Sequence, residues 1–119
     1  EAVLELIKEK YVLSCHDISN GGLLVALSEM SIGSRLGVNI NKPKKLVNLI
    51  EYFFGEDQGR YILEINAKNL SKVDKILKKN NIYYENIGLT QKDYFEIDGE
   101  MKIDINDLFK INNQWYNKF

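Results

Sequence analysis

Apolar side chains recur at intervals of three and four residues in four segments of the chain, which is the spacing of a helix that buries one face. The first two predicted helices span residues 2–10 and 23–34. Two further sets of apolar residues mark the third and fourth helices: Leu46, Leu49, Ile50 and Phe53, and then Leu70, Val73, Ile76 and Leu77. A short helix and tail are predicted over residues 107–119.

Short apolar or alternating segments lie between these helices and predict strands. Residues 11–15 are apolar enough to indicate a buried strand, and Tyr61, Leu63 and Ile65 share one face of another. The predicted strands are residues 11–15, 36–40, 60–65, 82–89, 94–97 and 101–105. Asp98-Gly99, between the last two strands, is a hairpin signal.

The order of these elements indicates an α/β (α+β) fold. Helices and strands alternate through the first two thirds of the chain, and strands follow one another in the last third. A mixed β-sheet with helices packed on it satisfies this order. The 119 residues suffice for one domain with one modest core, so we expect a single domain over residues 1–119.

Composition and charge exclude several classes of protein. Sixteen Lys and Arg residues against seventeen Asp and Glu residues leave a formal net charge of −1, so no nucleic acid or anionic membrane is expected as a partner. No stretch approaches the roughly 20 apolar residues of a membrane span. A single cysteine, Cys15, allows no internal disulfide and fits a cytoplasmic protein. The chain begins Glu1-Ala2-Val3 without an initiator Met, which we interpret as a fragment of a longer multidomain chain.

The segment with the most chemical information is Cys15-His16-Asp17-Ile18-Ser19-Asn20-Gly21-Gly22-Leu23, where a predicted strand leads into a predicted helix. Adjacent glycines let backbone N–H groups approach a ligand closely, because no Cβ blocks the way. The helix N-terminus adds free N–H donors and partial positive charge, which suit a phosphate or a carboxylate. Asp17, Ser19 and Asn20 are also good helix caps. Spacing alone therefore leaves two interpretations open, a cap-and-turn structure and a ligand contact.

Cys15 and His16 do not predict a catalytic or metal site. His16 is the only histidine in the chain, so no histidine cluster exists for a metal ion. Adjacent residues on a strand point to opposite faces, so the two side chains would not meet as a nucleophile and its base. We expect a structural histidine near the end of a strand, and neither a catalytic residue nor a metal ligand in this chain.

A second polar turn, Phe53-Phe54-Gly55-Glu56-Asp57-Gln58-Gly59-Arg60, joins a predicted helix to a predicted strand. Arg60 can hold a phosphate or a carboxylate through two N–H donors. It can also pair with Glu56 inside the turn, which is the interpretation we favour. Glu56 and Asp57 offer carboxylates to Mg²⁺, an ion that usually needs substrate oxygens and waters as well.

Together the two turns resemble a known family. The first, followed by Ala26-Leu27-Ser28-Glu29-Met30, resembles the C-terminal domain shared by aminoimidazole ribonucleotide synthetase and its relatives. The second resembles a turn of the formylglycinamidine ribonucleotide synthases, and Gly37-Val38-Asn39-Ile40 fits the strand between the two turns. Asp17 with Ser19 is similar to the second, C-terminal copy of this domain in those synthases. Asn20 departs from the family, which usually has an aspartate there.

The resemblance implies a domain of an ATP-dependent C–N ligase that amidates formylglycinamide ribonucleotide in purine biosynthesis. The family enzyme uses ATP, Mg²⁺ and ammonia from a glutaminase subunit or domain, and other domains of the same synthetase carry its catalytic machinery. We therefore expect the isolated chain to be inactive and to bind ATP and Mg²⁺ weakly. The residues expected to contact ligand or phosphate are Asp17, Ser19, Gly21, Gly22, Glu56, Gln58 and Arg60.

Two other classes of function remain open. One is a related ATP-using enzyme, such as a hydrogenase maturation protein, a selenophosphate synthetase or an aminoimidazole ribonucleotide synthetase. The other is a non-catalytic nucleotide-binding or structural interaction domain. Upstream sequence would separate the first class from the synthases, because each has its own glycine-rich and lysine- or cysteine-bearing motifs. An ATP titration with a measurement of oligomeric state bears on the second class.

Overall fold

The computed structural model describes residues 1–43 and 48–118. Five helices and six strands lie in these residues, together with a short 3₁₀ turn, Ala67–Asn69, before the fourth helix. The helices are α1 (Ala2–Lys8), α2 (Gly22–Ser34), α3 (Leu49–Phe54), α4 (Leu70–Lys79) and α5 (Ile105–Tyr116). The strands are β1 (Val12–Asp17), β2 (Gly37–Ile40), β3 (Tyr61–Ile65), β4 (Gly88–Gln91), β5 (Tyr94–Ile97) and β6 (Met101–Asp104).

The predicted helices are confirmed within the described residues, with ends displaced by a few positions. Leu46, which was expected in the third helix, lies outside the described residues. Within them the helix begins at Leu49, and the side chain of Asn48 caps it by accepting a hydrogen bond from the Ile50 amide at 3.0 Å. The C-terminal helix α5 is longer than the short helix predicted there, and Asp104 caps it through the Asn106 amide at 2.8 Å.

Residues 1–17 and 59–86 form one compact unit, which we call unit 1. Its sheet pairs β1 with β3 in antiparallel register, with Cys15 opposite Leu63 and His16 opposite Ile62. Ile62 of β3 is buried, and the two helices of the unit, α1 and α4, supply its buried apolar cluster, Ala2, Leu6, Val73 and Leu77. Among the partly buried side chains packed against them are Leu63 and Ile65, two of the three residues predicted to share a strand face; the third, Tyr61, is exposed.

The prediction of a buried strand at residues 11–15 is wrong in one respect. The strand exists, but half-buried and exposed residues alternate along it, and the side chain of Leu13 is 62% exposed. Two strands make a sheet too narrow to bury every side chain of either strand. The segment therefore contains more apolar side chains than unit 1 buries.

Residues 18–58 and the part of the chain from residue 87 onward form unit 2. Its four strands lie in the order β4-β2-β5-β6. The β2–β5 pair is parallel, whereas the β2–β4 and β5–β6 pairs are antiparallel, so the predicted mixed sheet is confirmed. Val38, Ile40, Phe95 and Ile97 are buried in this sheet, and α2 contacts β2, α3 and α5. The described residues form two sheets where the sequence indicated one.

The predicted strand over residues 82–89 is mostly wrong, because only its last two residues belong to β4. The Tyr84 hydroxyl instead donates a hydrogen bond to the Asp74 carboxylate on α4. Asp74 also accepts a hydrogen bond from the Lys78 ammonium at 2.9 Å. The hydrogen bond from Tyr84, and after it the one from Lys78, hold the pKa of the Asp74 carboxyl below its usual value. Within the residues that the structure describes, no helix is long and apolar enough to cross a membrane.

Candidate functional site

The β1–α2 connection begins later in the chain than the sequence predicted. β1 continues through Asp17, so His16 and Asp17 are the last two residues of the strand and not part of the turn. A turn follows over residues 19–22, in which the Gly22 amide donates a hydrogen bond to the Ser19 carbonyl at 3.1 Å. Gly21 and Gly22 both have positive φ angles, +82° and +71°, a region that favours glycine. The adjacent glycines are therefore required by the backbone of the turn itself.

The residue that caps α2 is not one of those predicted. Asp17, Ser19 and Asn20 were expected to offer side-chain caps, but the N-cap is Gly21 and no side-chain cap bond forms there. The Gly21 amide instead donates to Oε1 of Glu56 at 2.8 Å. In a capping box, a Glu three residues into the helix bonds the N-cap amide. Leu24 occupies that position here, so a carboxylate from 35 residues further along the chain supplies the missing acceptor.

Gly22 has a second structural role, because the end of α3 lies directly against it. A Cβ placed on Gly22 would come within 2.6 Å of the Phe54 carbonyl carbon and 2.8 Å of the Phe53 carbonyl oxygen. Both of these are backbone atoms, which cannot rotate away as the end of a side chain can. Gly22 itself is buried. The absence of a side chain at this position therefore lets the N-terminus of α2 and the C-terminus of α3 meet.

The second turn begins where α3 ends, and its own geometry aims Glu56 at the first turn. The Gly55 amide donates to the Glu51 carbonyl at 2.9 Å, which closes the last turn of the helix. A Cβ on Gly55 would lie 2.5 Å from that same carbonyl oxygen, so the close return of the chain requires glycine. Glu56, Asp57 and Gln58 follow as exposed residues. Gly55 thus allows the chain to turn directly before Glu56, and the Glu56 carboxylate accepts the hydrogen bond of the Gly21 amide.

The seven predicted ligand-contacting residues divide between the two units. Unit 2 contains Ser19, Gly21, Gly22, Glu56 and Gln58, whereas unit 1 contains Asp17 and Arg60. Within unit 2 the structure brings the glycine turn and Glu56 into direct hydrogen-bond contact. The predicted pairing of Arg60 with Glu56 joins residues of different units and stays a prediction.

His16 and Cys15 have ordinary local environments. The His16 Nδ1 lies 2.6 Å from the Asp17 carbonyl oxygen and 3.8 Å from the Asp17 carboxylate. The register of β1 against β3 places Cys15 and His16 on opposite faces, as their adjacency predicts. Partial burial, followed by the charge of Asp17, raises the pKa of the Cys15 thiol above its usual value. A thiol that stays protonated is a weak nucleophile, so the environment gives Cys15 no activation.

The amides of the two glycines are engaged in this conformation. Those of Gly21 and Gly22 each donate to an acceptor of the protein, the Glu56 carboxylate and the Ser19 carbonyl respectively. The acceptor on Gly21 is a carboxylate, which would repel a second anion at this distance. For Mg²⁺, no group of three or more His, Cys, Asp or Glu side chains suited to a metal ion occurs within residues 1–43 and 48–118. The expected ligand contact of Gly21 and Gly22 therefore stays a prediction.

Local sequence analysis missed the bond between Gly21 and Glu56 because it joins two segments 35 residues apart. One signal was available. The helix begins with Gly22-Leu23-Leu24-Val25, which has no acid in its first turn and no capping-box glutamate. A helix N-terminus with no local acceptor needs one from elsewhere in the fold. The acid-rich second turn was the natural candidate.

Comparison with known sequences identifies the class of this domain. The profile of the family described as "AIR synthase related protein, C-terminal domain" matches residues 1–98, and the chain belongs to that family. Phosphoribosylformylglycinamidine synthase subunit PurL of Pelagibacter ubique is 41% identical over 119 residues, which is all of this chain and 16% of that protein. The subunit of the same name from Rhodopseudomonas palustris is 35% identical over 115 residues, which is 97% of this chain and 16% of that protein. The chain thus spans about a sixth of the length of these curated relatives.

Solved structures agree on the fold. Thermotoga maritima PurL complexed with FGAR superposes with a TM-score of 0.77 at 19% identity, over 91% of this chain and 20% of that one. The ATP complex of the same protein gives 0.78 at 19% identity, and the structure of PurLQS from Thermotoga maritima gives 0.78 at 20%, each with the same coverage. At these identities the likeness establishes the fold of the domain and nothing further.

Proposed function

We propose that this chain acts as the C-terminal domain of a phosphoribosylformylglycinamidine synthase, within a larger polypeptide. The observation that carries the proposal is how far the similarity extends. The general family profile ends at residue 98, but the Pelagibacter synthase subunit aligns over all 119 residues. The segment beyond residue 98 contains β6 and α5, so the similarity to the synthases includes elements that the general profile does not cover. This difference favours the synthase over other enzymes that share the domain.

The reaction proposed for the whole polypeptide is the ATP-dependent amidation of formylglycinamide ribonucleotide, with ammonia supplied by a glutaminase partner. ATP and Mg²⁺ would supply activation of the amide oxygen by phosphoryl transfer in that enzyme. The proposed partners of the chain are the other domains of the synthetase, the glutaminase and the ribonucleotide substrate, in the cytoplasm. The structures of Thermotoga maritima PurL complexed with FGAR and with ATP, and the structure of PurLQS from the same organism, support this choice of ligands and partner.

Within the domain we propose that some of the predicted residues have a structural role and others contact a ligand or a neighbouring domain. Gly21, Gly22 and Glu56 shape the junction of the two turns, because their contacts are made to each other and to the backbone of α3. Ser19 and Gln58 are exposed in the same unit and are the side chains proposed to meet ligand or a neighbouring domain. Asp17 and Arg60 stay individual candidates of unit 1. No catalytic residue is assigned to the chain.

A second candidate, a structural domain without ligand contact, is favoured by the hydrogen bonds of the glycine turn. Both glycine amides donate to protein acceptors, so the turn is complete without a nucleotide. Substitutions of the exposed side chains separate the two candidates. If the domain meets ligand, Ser19→Ala or Gln58→Ala changes the affinity of the whole enzyme for ATP or ribonucleotide. If it is structural, neither substitution does so.

A chimeric enzyme tests the proposal. The C-terminal segment of the Pelagibacter relative that aligns with this chain would be replaced by the chain, and ammonia-dependent amidation of formylglycinamide ribonucleotide would be measured. We expect activity, because the alignment is continuous over the whole chain. The matched control carries Gly22→Val, which places a side chain against the backbone of Phe53 and Phe54 and should abolish folding and activity together. A soluble, folded chimera with no activity would contradict the proposed function.

A further inference from the structure

We propose that Asn20 is a site of deamidation, the conversion of an asparagine to aspartate or isoaspartate, and that the hydrogen bond between Gly21 and Glu56 keeps this site closed. The inference concerns a covalent modification of the chain and does not depend on the proposed function. We call the Gly21–Glu56 hydrogen bond the latch.

The reaction is intramolecular and needs only water as a second reactant. The backbone nitrogen of the residue after the asparagine attacks Cγ of the asparagine side chain, and the new N–C bond closes a five-membered succinimide ring. The side-chain nitrogen leaves as ammonia, with the proton that the backbone nitrogen loses. Water then opens the ring at either of its two carbonyl groups, which yields aspartate or isoaspartate. No oxidant, metal ion or cofactor takes part.

The sequence places this chemistry at Asn20. A side chain on the attacking residue hinders ring closure, so glycine is the most permissive residue at that position. Asn20-Gly21 is the only Asn-Gly pair in the chain, and every other asparagine precedes a residue with a side chain. Asn20 is also exposed, so water can reach it. Among the asparagines of the chain, Asn20 therefore has the least hindered attacking nitrogen.

The folded turn holds the reacting atoms apart. Gly21 has φ +82° and ψ 0°, whereas Asn20 does not have a positive φ. With the Gly22 amide bonded to the Ser19 carbonyl, these angles define a type II turn that has Asn20 at its second position. That position has a ψ angle of about +120°. Ring closure needs ψ of the opposite sign, because only then does the Gly21 nitrogen eclipse the Asn20 Cβ. The turn must therefore open before Asn20 reacts.

The latch opposes this opening in two ways. The Gly21 amide donates to Oε1 of Glu56 at 2.8 Å, and the rotation that closes the ring would break this bond. The negative charge of the carboxylate also opposes loss of the amide proton, since a nearby like charge disfavours a developing anion. A carboxylate is a far weaker base than an amide anion, so Glu56 does not remove the proton itself. Glu56 therefore slows the attack on Asn20.

The rate of deamidation in three forms of the chain tests the latch. The parent chain, Glu56→Ala and Glu56→Gln would be incubated folded at neutral pH, and the peptide containing residue 20 would be separated by liquid chromatography with mass spectrometry. We expect Asn20 to deamidate about fivefold faster in Glu56→Ala, the factor that corresponds to loss of one helix-cap hydrogen bond. Glu56→Gln keeps an acceptor, so its rate should lie between the other two. The denatured parent chain should react at least about tenfold faster than the folded one, because local opening limits the reaction in the fold.

Gly99→Ala is the matched control for a general loss of stability. The φ angle of Gly99 is +71°, so this substitution also strains unit 2, but it leaves the latch in place. Asn20 should deamidate in Gly99→Ala at the parent rate. Circular dichroism at the incubation temperature shows whether each variant is folded, and Glu56→Gln decides the result if Glu56→Ala is not.

Three results would overturn the proposal. Equal acceleration in Gly99→Ala and Glu56→Ala would mean that Asn20 reacts through global unfolding, with no part for the latch. Slower deamidation in Glu56→Ala or Glu56→Gln than in the parent chain would mean that the carboxylate assists the reaction. Equal rates in the folded and denatured parent chain would mean that the turn protects nothing.

Discussion

Two glycine turns of unit 2 look alike in sequence and are built differently. The turn at Gly99 joins β5 to β6, and the turn at Gly21-Gly22 joins β1 to α2. Gly99 and Gly22 have the same φ angle, +71°. A Cβ on Gly99 would make only ordinary contacts of 3.6 and 3.7 Å with the Lys42 side chain, whereas one on Gly22 would overlap the backbone of α3. The β5–β6 turn at Gly99 is determined by its own residues, whereas the β1–α2 turn at Gly22 is determined by a distant segment, α3.

The two turns differ in how much of their geometry the local sequence can predict. At the β5–β6 hairpin, the Glu100 amide donates a hydrogen bond to the Ile97 carbonyl at 3.0 Å, so both partners of this bond belong to the turn itself. At the β1–α2 turn, the Gly21 amide bonds Glu56, which a local pattern cannot reveal. The adjacent glycines Gly21 and Gly22 could equally have indicated a phosphate site. In the structure, the anionic group that the Gly21 amide binds is the Glu56 carboxylate of the same chain.

The largest expected effect comes from Gly22→Ala, and Gly99→Ala provides the comparison, because each substitution adds one methyl group to its turn. Gly22→Ala should reduce the free energy of unfolding by roughly 3 kcal/mol, because it combines an unfavourable φ with overlap against a backbone that must move. Gly99→Ala should cost only about 1 kcal/mol, from the φ angle alone. Chemical denaturation of the two variants measures both values. Equal losses would show that the approach of α3 does not constrain Gly22.

Removing the distant acceptor should have an intermediate effect. Glu56→Ala leaves the Gly21 amide without its acceptor and should cost about 1 kcal/mol, the usual value of a lost cap. Glu56→Gln keeps an oxygen that can accept the bond and loses only the charge, so its cost should be smaller, roughly 0.5 kcal/mol. Thermal unfolding at low and high salt checks the distinction. An identical loss for the two variants would contradict a specific hydrogen bond.

The smallest effect concerns the ion pair beside the hairpin. The Lys42 ammonium lies 2.6 Å from the Glu100 carboxylate, and this hydrogen bond raises the pKa of Lys42 above its usual value of 10.5. A raised pKa means that the pair stabilises the fold below that value and ceases to do so as the pH rises through the folded pKa. The melting temperature of Glu100→Gln should therefore be slightly below that of the parent chain at neutral pH, and the two should converge as the pH rises through the raised pKa of Lys42. A constant difference across that range would exclude the pair as its cause.

The helices and the hairpin could be predicted because their signals are local. The apolar spacing of Val73 and Leu77 in α4 and the Asp98-Gly99 pair each describe an interaction between near neighbours. Residues 82–87 could not be predicted in the same way, because Tyr84 is held by Asp74 across the unit and forms no ladder. In the candidate site, the family and both turns followed from motif resemblance. The bond between the turns depends on a tertiary approach that composition and spacing do not encode.

The bond between the two turns is tested most directly by the chemical shift of the Gly21 amide proton in nuclear magnetic resonance spectra of the chain. We predict a clear change of this shift in Glu56→Ala and a smaller one in Glu56→Gln, because the amide nitrogen and the carboxylate oxygen are 2.8 Å apart. Added inorganic phosphate should leave the shift unchanged in the parent chain. A Gly21 amide that is unaffected by Glu56→Ala and responds to phosphate would contradict the bond and support an anion-binding turn.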